Sequence, residues 1–169
     1  NGMTHEDIAE IVGPERTIGA VIEIASNMWE PGITNRQNDI DTSWFAMGAV
    51  DPTQQYRVDG IAALLRNSGT VEVVDDIHSA KWMKLIVNAA ELIPSAIINS
   101  ALRPAAEDKA FLEVMRLAGY EAMAAALADG ATIMPIIGMP PTMSNDPDAY
   151  VDEIFDMVLS TFSADDTLT

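Results

Sequence analysis

Lys81, Lys84 and Asn88 stand at i, i+3 and i+7 within the stretch Ala80 to Pro94, AKWMKLIVNAAELIP. On a helix this spacing sets two ammonium groups and a carboxamide along one stripe, among Trp82, Leu85, Ile86, Val87 and Ala89. An ammonium partly withdrawn from water by such neighbours has a lowered pKa and can give up a proton near neutral pH. A carboxamide offers both a donor and an acceptor to an oxygen-rich ligand. The competing reading is that both lysines lay their stems on apolar surface and carry their charge out to solvent, with Asn88 bonded to a neighbouring carbonyl. Other residues point to structure: the ten methionines and the Ala-rich run Ala118 to Ala128 read as close packing, and His78 as a capping or surface residue rather than a proton carrier.

The elements that must hold this stripe belong to a chain of 169 residues and 18.2 kDa, enough for one domain or one domain plus part of another. Its 49% hydrophobic and 21% charged content is that of an ordinary soluble globular protein, expected in the cytoplasm. A formal charge of −17 repels phosphate backbones and anionic lipid, which argues against nucleic-acid and membrane partners. The absence of cysteine excludes disulfides, thiolate zinc sites, iron–sulfur clusters and a cysteine nucleophile. His5 and His78 are too distant in sequence for the short ligand spacing of a helical zinc site, so no metal is expected. The longest uncharged run, Gly130 to Asn145, carries Pro135, Pro140 and Pro141 and cannot be a membrane-spanning helix. The first residues lack a secretory signal's basic start and apolar stretch, and a start at Asn rather than Met reads as a piece of a longer chain.

Thr4 with Asp7 suggests a capping box on a short helix ending at Gly13-Pro14. Thr17 to Ala25 reads as a strand covered on both faces, Trp29 to Asn35 as a turn around Pro31-Gly32, and Ile40 to Val50 as another strand. A helix from about Tyr56 to Arg66 stops at Ser68-Gly69, before a strand at Thr70 to Val74. Helices then take over. Asp75 or Asp76 caps Ile77 to about Leu92, where Pro94 should kink or interrupt the helix; Glu107 to Asp129 closes at Gly130; a last helix begins at Asp146 or Asp148 and runs to about Phe162. After Arg116 there is no Lys or Arg but nine acidic residues, which reads as a solvated face, with an acidic partner-binding surface as the lesser alternative.

Lys84-Leu85-Ile86-Val87-Asn88, behind Asp75-Asp76-Ile77, resembles the Lys-Leu-x-x-Asn signature that opens the helical domain of ketopantoate reductases, the NADPH-dependent 2-dehydropantoate 2-reductases. Asn1-Gly2-Met3 is similar to the family's Asn-Gly loop at the end of a Rossmann strand. Arg16 to Ala20 with Pro31-Gly32 is similar to the sheet that follows. The resemblance implies an α/β remnant of a Rossmann-type domain over 1–74, the C-terminal part of an NADP-binding domain. Residues 75–169 would be an all-helical domain of the 6-phosphogluconate dehydrogenase C-terminal type, truncated, serving substrate binding and dimerisation.

It also implies that Lys84 protonates the ketone oxygen as hydride arrives, that Asn88 hydrogen-bonds the substrate, and that Asn1 lies near both nicotinamide and substrate. As half of an Asn-Gly pair, Asn1 equally suits a plain turn. Three departures matter. The Gly-x-Gly-x-x-Gly phosphate loop is absent, so poor NADPH binding by this chain alone is expected. Leu92 and Ile93 stand where the family carries a second Asn before Pro, which implies a reshaped pocket or another 2-oxo acid. The chain stops before the family's Ser-bearing helix start and acidic residue. The resulting expectation is NADPH-dependent reduction of 2-dehydropantoate to pantoate, by a possible homodimer. The alternatives are a non-catalytic helical dimerisation or partner-binding module, and a related hydroxyacid or opine dehydrogenase.

Overall fold

The structure, a computed structural model, describes residues 2–100, 102–139 and 145–161. These fall into two compact units: one runs up to Lys81 and takes in Ile136–Gly138, and the other comprises Trp82–Pro135 and the residues from Met139 onward.

The first unit begins with α1 (Thr4–Val12), whose N-cap is Met3, without a side-chain cap hydrogen bond. The expected Thr4–Asp7 box is thus not formed, because Thr4 is already helical. Gly13, at φ +96, ends the helix in a conformation that glycine tolerates. The sheet comprises β1 (Ile18–Glu23), β4 (Trp44–Ala49) and β5 (Thr70–Val73), with β4 in the centre. β1 pairs antiparallel with β4, Gly19 opposite Gly48, and β5 pairs parallel with β4. Every residue of β4 is buried, the pattern of a central strand with both faces covered. β1 is different: it alternates, with Gly19 and Val21 buried and Ala20 and Ile22 exposed. The expectation of a doubly covered β1 is therefore corrected, since an edge strand buries only one face.

The region read as a turn is a two-stranded hairpin, β2 (Ser26–Glu30) and β3 (Ile33–Arg36), nearly all exposed, with Gly32 at φ +84 at its tip. Between β4 and β5, α2 (Val58–Leu65) follows a short 3-10 turn at Pro52–Arg57 and packs Val58 and Ala62 against Met47 and Ala49. The Gln55 amide joins the two strand ends: its Oε1 accepts from Ala49 N at 2.9 Å and its Nε2 donates to Val74 O at 3.0 Å.

α3 (Ile77–Ile98) carries the stripe. Asp76 caps it, accepting from Ser79 N at 2.9 Å and from Ser79 Oγ at 2.5 Å. The helix is not interrupted at Pro94 but runs past the expected end near Leu92; the proline removes one backbone donor, and the helix ends before Asn99, at φ 51. In the second unit α4 (Leu102–Glu107), where no helix was expected, precedes α5 (Lys109–Ala128), the helix expected over Glu107 to Asp129. The Asp108 side chain starts α5 by accepting from Ala110 N and Phe111 N. α6 (Pro147–Thr161) packs on α5, where a Cβ on Gly119 would lie 2.7 Å from Val151 Cγ1 and 3.4 Å from Ala90 Cβ. Arg116 links the same helices, paired with Asp152, bonded to Asp156 at 2.6 Å and stacked 5.2 Å over the Phe155 ring.

Candidate functional site

How the first turn of α3 is seated follows from two small residues. A Cβ on Gly19 would meet Ile77 Cγ1 at 2.6 Å, and one on Gly48 would meet Val74 O at 2.6 Å and Ile77 Cβ at 2.9 Å. The facing glycines of β1 and β4 therefore open the space into which Ile77 packs at the start of α3.

Farther along the helix, Lys84 is 5% exposed and its Nζ donates to Asn88 Oδ1 at 2.7 Å. The reading in which Lys84 extends into bulk water is excluded by this burial. Met83, Ile86 and Val87 of the same helix are buried as well, so buried Lys84 and half-buried Asn88 are held against one another on a largely covered helix. An amine held this way by a carboxamide has a fixed position and keeps further protons to donate, as a general acid must.

Lys81, also 5% exposed, donates to Gly2 O at 2.9 Å, and burial holds its pKa below the ordinary lysine value. Beside it is His5, 6% exposed and likewise pushed below its usual pKa, first by burial and then by the Lys81 charge. His5, Arg16, Thr17, Gly19 and Lys81 line a cleft of about 320 Å³ in the first unit. A larger depression of about 750 Å³, near Asp39, Asp41, Arg66 and Thr70, includes none of the expected residues.

The sequence-expected residues are distributed as follows. Lys84 and Asn88 form one bonded pair, whereas Lys81 is engaged with Gly2; Asn1 lies outside the described residues. Sequence reasoning missed Glu91, which is 4% exposed, and Ser95, which is 3% exposed. They follow Lys84 at i+7 and i+11, so helical spacing would have found them: the stripe reads Lys84, Asn88, Glu91, Ser95. Leu92 and Ile93, which stand where the family carries its second Asn, are 37% and 60% exposed and lie off the stripe. His78, expected at the surface, is partly exposed and its Nδ1 lies 3.0 Å from Glu6 Oε1.

No family sequence model matches the chain, and no curated protein sequence does either. Solved structures do. The 2-dehydropantoate 2-reductase of Geobacter metallireducens aligns with a TM-score of 0.80 at 24% identity, over 99% of this chain and 52% of that one. A ketopantoate reductase from Ralstonia eutropha aligns with a TM-score of 0.64 at 20% identity, over 89% of this chain and 44% of that one. A dimeric ketopantoate reductase from Staphylococcus aureus aligns with a TM-score of 0.61 at 16% identity, over 87% of this chain and 43% of that one. The chain spans about half the length of these proteins. Over that span, a small mixed sheet followed by a set of helices, it has the fold of the ketopantoate reductases.

Proposed function

We propose that the protein this chain represents is a ketopantoate reductase family member that reduces a 2-oxo acid, with Lys84 as proton donor and Asn88 as substrate ligand. The observation that carries this reading is buried Lys84 bonded to half-buried Asn88, 2.7 Å between Nζ and Oδ1, on a helix of a chain with this fold. Lys84 would pass a proton to the ketone oxygen as negative charge develops there, and until the proton moves its ammonium charge would favour the developing alkoxide. Asn88 Nδ2 would donate to the substrate while its Oδ1 keeps the amine in place.

NADPH is the reductant implied by the likeness to these enzymes. The described residues offer it no cradle, because no strand among them leads into a Gly-x-Gly-x-x-Gly turn; their chemistry is that of the proton and the substrate. Assignment of 1–74 to the cofactor-binding part and 75–169 to a helical substrate and dimerisation domain, of the 6-phosphogluconate dehydrogenase C-terminal type, belongs to the same proposal. So do a cytoplasmic location and a homodimer. Among the described residues no helix is long and apolar enough to cross a membrane.

2-Dehydropantoate is the first substrate to try, and Glu91 on the stripe is the reason to extend the panel to 2-oxo acids with a hydrogen-bond donor in the side chain. In the full-length protein, Lys84→Ala is expected to lower turnover by roughly 10²–10⁴-fold while leaving NADPH affinity nearly unchanged, as measured by steady-state NADPH oxidation and by cofactor titration. Wild-type turnover in that variant overturns the assignment of Lys84. No oxidation with any 2-oxo acid by the unaltered protein favours the non-catalytic module instead.

A further inference from the structure

His5, Glu6 and His78 converge in the first unit, although 72 residues separate Glu6 from His78 along the chain. His5 and Glu6 are adjacent on the first turn of α1, and His78 is on the first turn of α3. His78 Nδ1 stands 3.0 Å from Glu6 Oε1, and His5 Nε2 stands 4.0 Å from the same oxygen. The two imidazole rings have centroids 6.2 Å apart and are tilted by 51°, so they do not stack on one another. One potential ligand atom from each of the three residues lies within 4.8 Å of the other two.

We infer that His5, Glu6 and His78 form a binding site for a divalent transition-metal ion of the zinc, cobalt or nickel type. Two imidazoles and a carboxylate are the ligand set that such borderline ions take, whereas magnesium and calcium prefer all-oxygen sites. Around a tetrahedral ion with bonds of about 2.0–2.1 Å, ligand atoms stand roughly 3.3 Å apart, and the Glu6–His78 separation already approaches that value. The remaining gap is within reach of rotamer changes at Glu6 and His78, whose side chains are 57% and 26% exposed and give an ion its way in from solvent. His5 forms the inner wall: it is 6% exposed, and the ring nitrogen that faces Glu6 is its Nε2. The Glu6 carboxylate compensates one charge of the ion. The Lys81 ammonium beside His5 acts against it and moderates the affinity.

This site is independent of the reductase reading, and its test does not use activity. Zn²⁺ titrated into the protein by calorimetry, and Co²⁺ followed by its visible absorption, are expected to show one ion per chain and a ligand-field spectrum with nitrogen ligands. Glu6→Gln, at an exposed position, and His78→Gln, at a half-buried one, should each weaken Zn²⁺ by on the order of 100-fold and abolish the Co²⁺ bands, with circular dichroism confirming that each variant keeps its fold. His5→Gln should do the same; circular dichroism separates loss of the ligand from loss of the fold at that buried position. Binding that is unchanged in the Glu6 and His78 variants, or that is weak and non-stoichiometric in the unaltered protein, overturns the proposal.

Discussion

A single buried amine is an expensive thing to keep in a protein, and Lys84 is kept at 5% exposure with its Nζ on the Asn88 carbonyl oxygen. What made the pair legible from residue types was its i, i+4 spacing, which lets Lys and Asn meet on any helix. Spacing did not reveal whether the charge would point inward, because the same stem can lie on apolar surface with its head in water. Lys81 shows the limit from the other side: it shares the apolar neighbourhood but is bonded to the Gly2 carbonyl, a partner 79 residues away that no local pattern announces. Tyr150 is a second residue whose fate is set by burial. Its hydroxyl donates to Met134 O at 2.7 Å, and burial raises its pKa well above the ordinary tyrosine value. The folded ring therefore holds its proton above about pH 10, where the unfolded chain releases it. Its contribution to stability is complete below that pH and is lost above it, by about 1.4 kcal/mol per pH unit. Tyr150→Phe is expected to cost about 1 kcal/mol at neutral pH through the lost hydrogen bond and to flatten the decline between about pH 10 and 11, measured by urea unfolding. An alkaline decline of equal steepness in the variant would contradict this origin.

At the scale of elements, the helices were the more legible part. The apolar spacing of α2, α5 and α6, with acidic caps at Asp76 before α3 and Asp108 before α5, marks helices by local chemistry alone. The strands were harder. β1 and β4 both read as continuous apolar runs, and only pairing shows that β4 is central and β1 is an edge. At Pro94 the end of α3 was not legible locally: the helix continues through the proline, itself buried beside Ser95, to exposed Ile97 and Ile98. Gly119 is the element-scale feature with the sharpest consequence. It lets α5 approach both Val151 of α6 and Ala90 of α3, so Gly119→Val is expected to destabilise the protein by roughly 2–3 kcal/mol through overpacking. Val151→Ala should return part of that loss when combined with it, a positive coupling read from a double-mutant cycle in chemical denaturation. Strictly additive effects would show that the contact is not the cause.

For the whole molecule, charge is the governing quantity. A formal charge of −17 makes the folded chain repel itself, and nine of its acidic residues follow the last cation, Arg116. Raising NaCl from about 10 to about 150 mM shortens the screening length from about 30 to about 8 Å, and is expected to raise the melting temperature measured by scanning calorimetry. A fall would mean that screening of attractive pairs, such as Arg116 with Asp152 and Asp156, outweighs relief of the net repulsion. Composition and periodicity by themselves determined this charge, the order of α/β elements before helices, and the polar stripe that opens with Lys84 and Asn88. These follow from neighbours in the chain and need no partner from afar. Tertiary structure alone decided that Lys84 is buried, that Gly19 and Gly48 face one another beneath Ile77, and that His5 and His78 meet at Glu6. The physical reason is that burial and long-range encounter are properties of packed surfaces, which a one-dimensional spacing rule cannot measure.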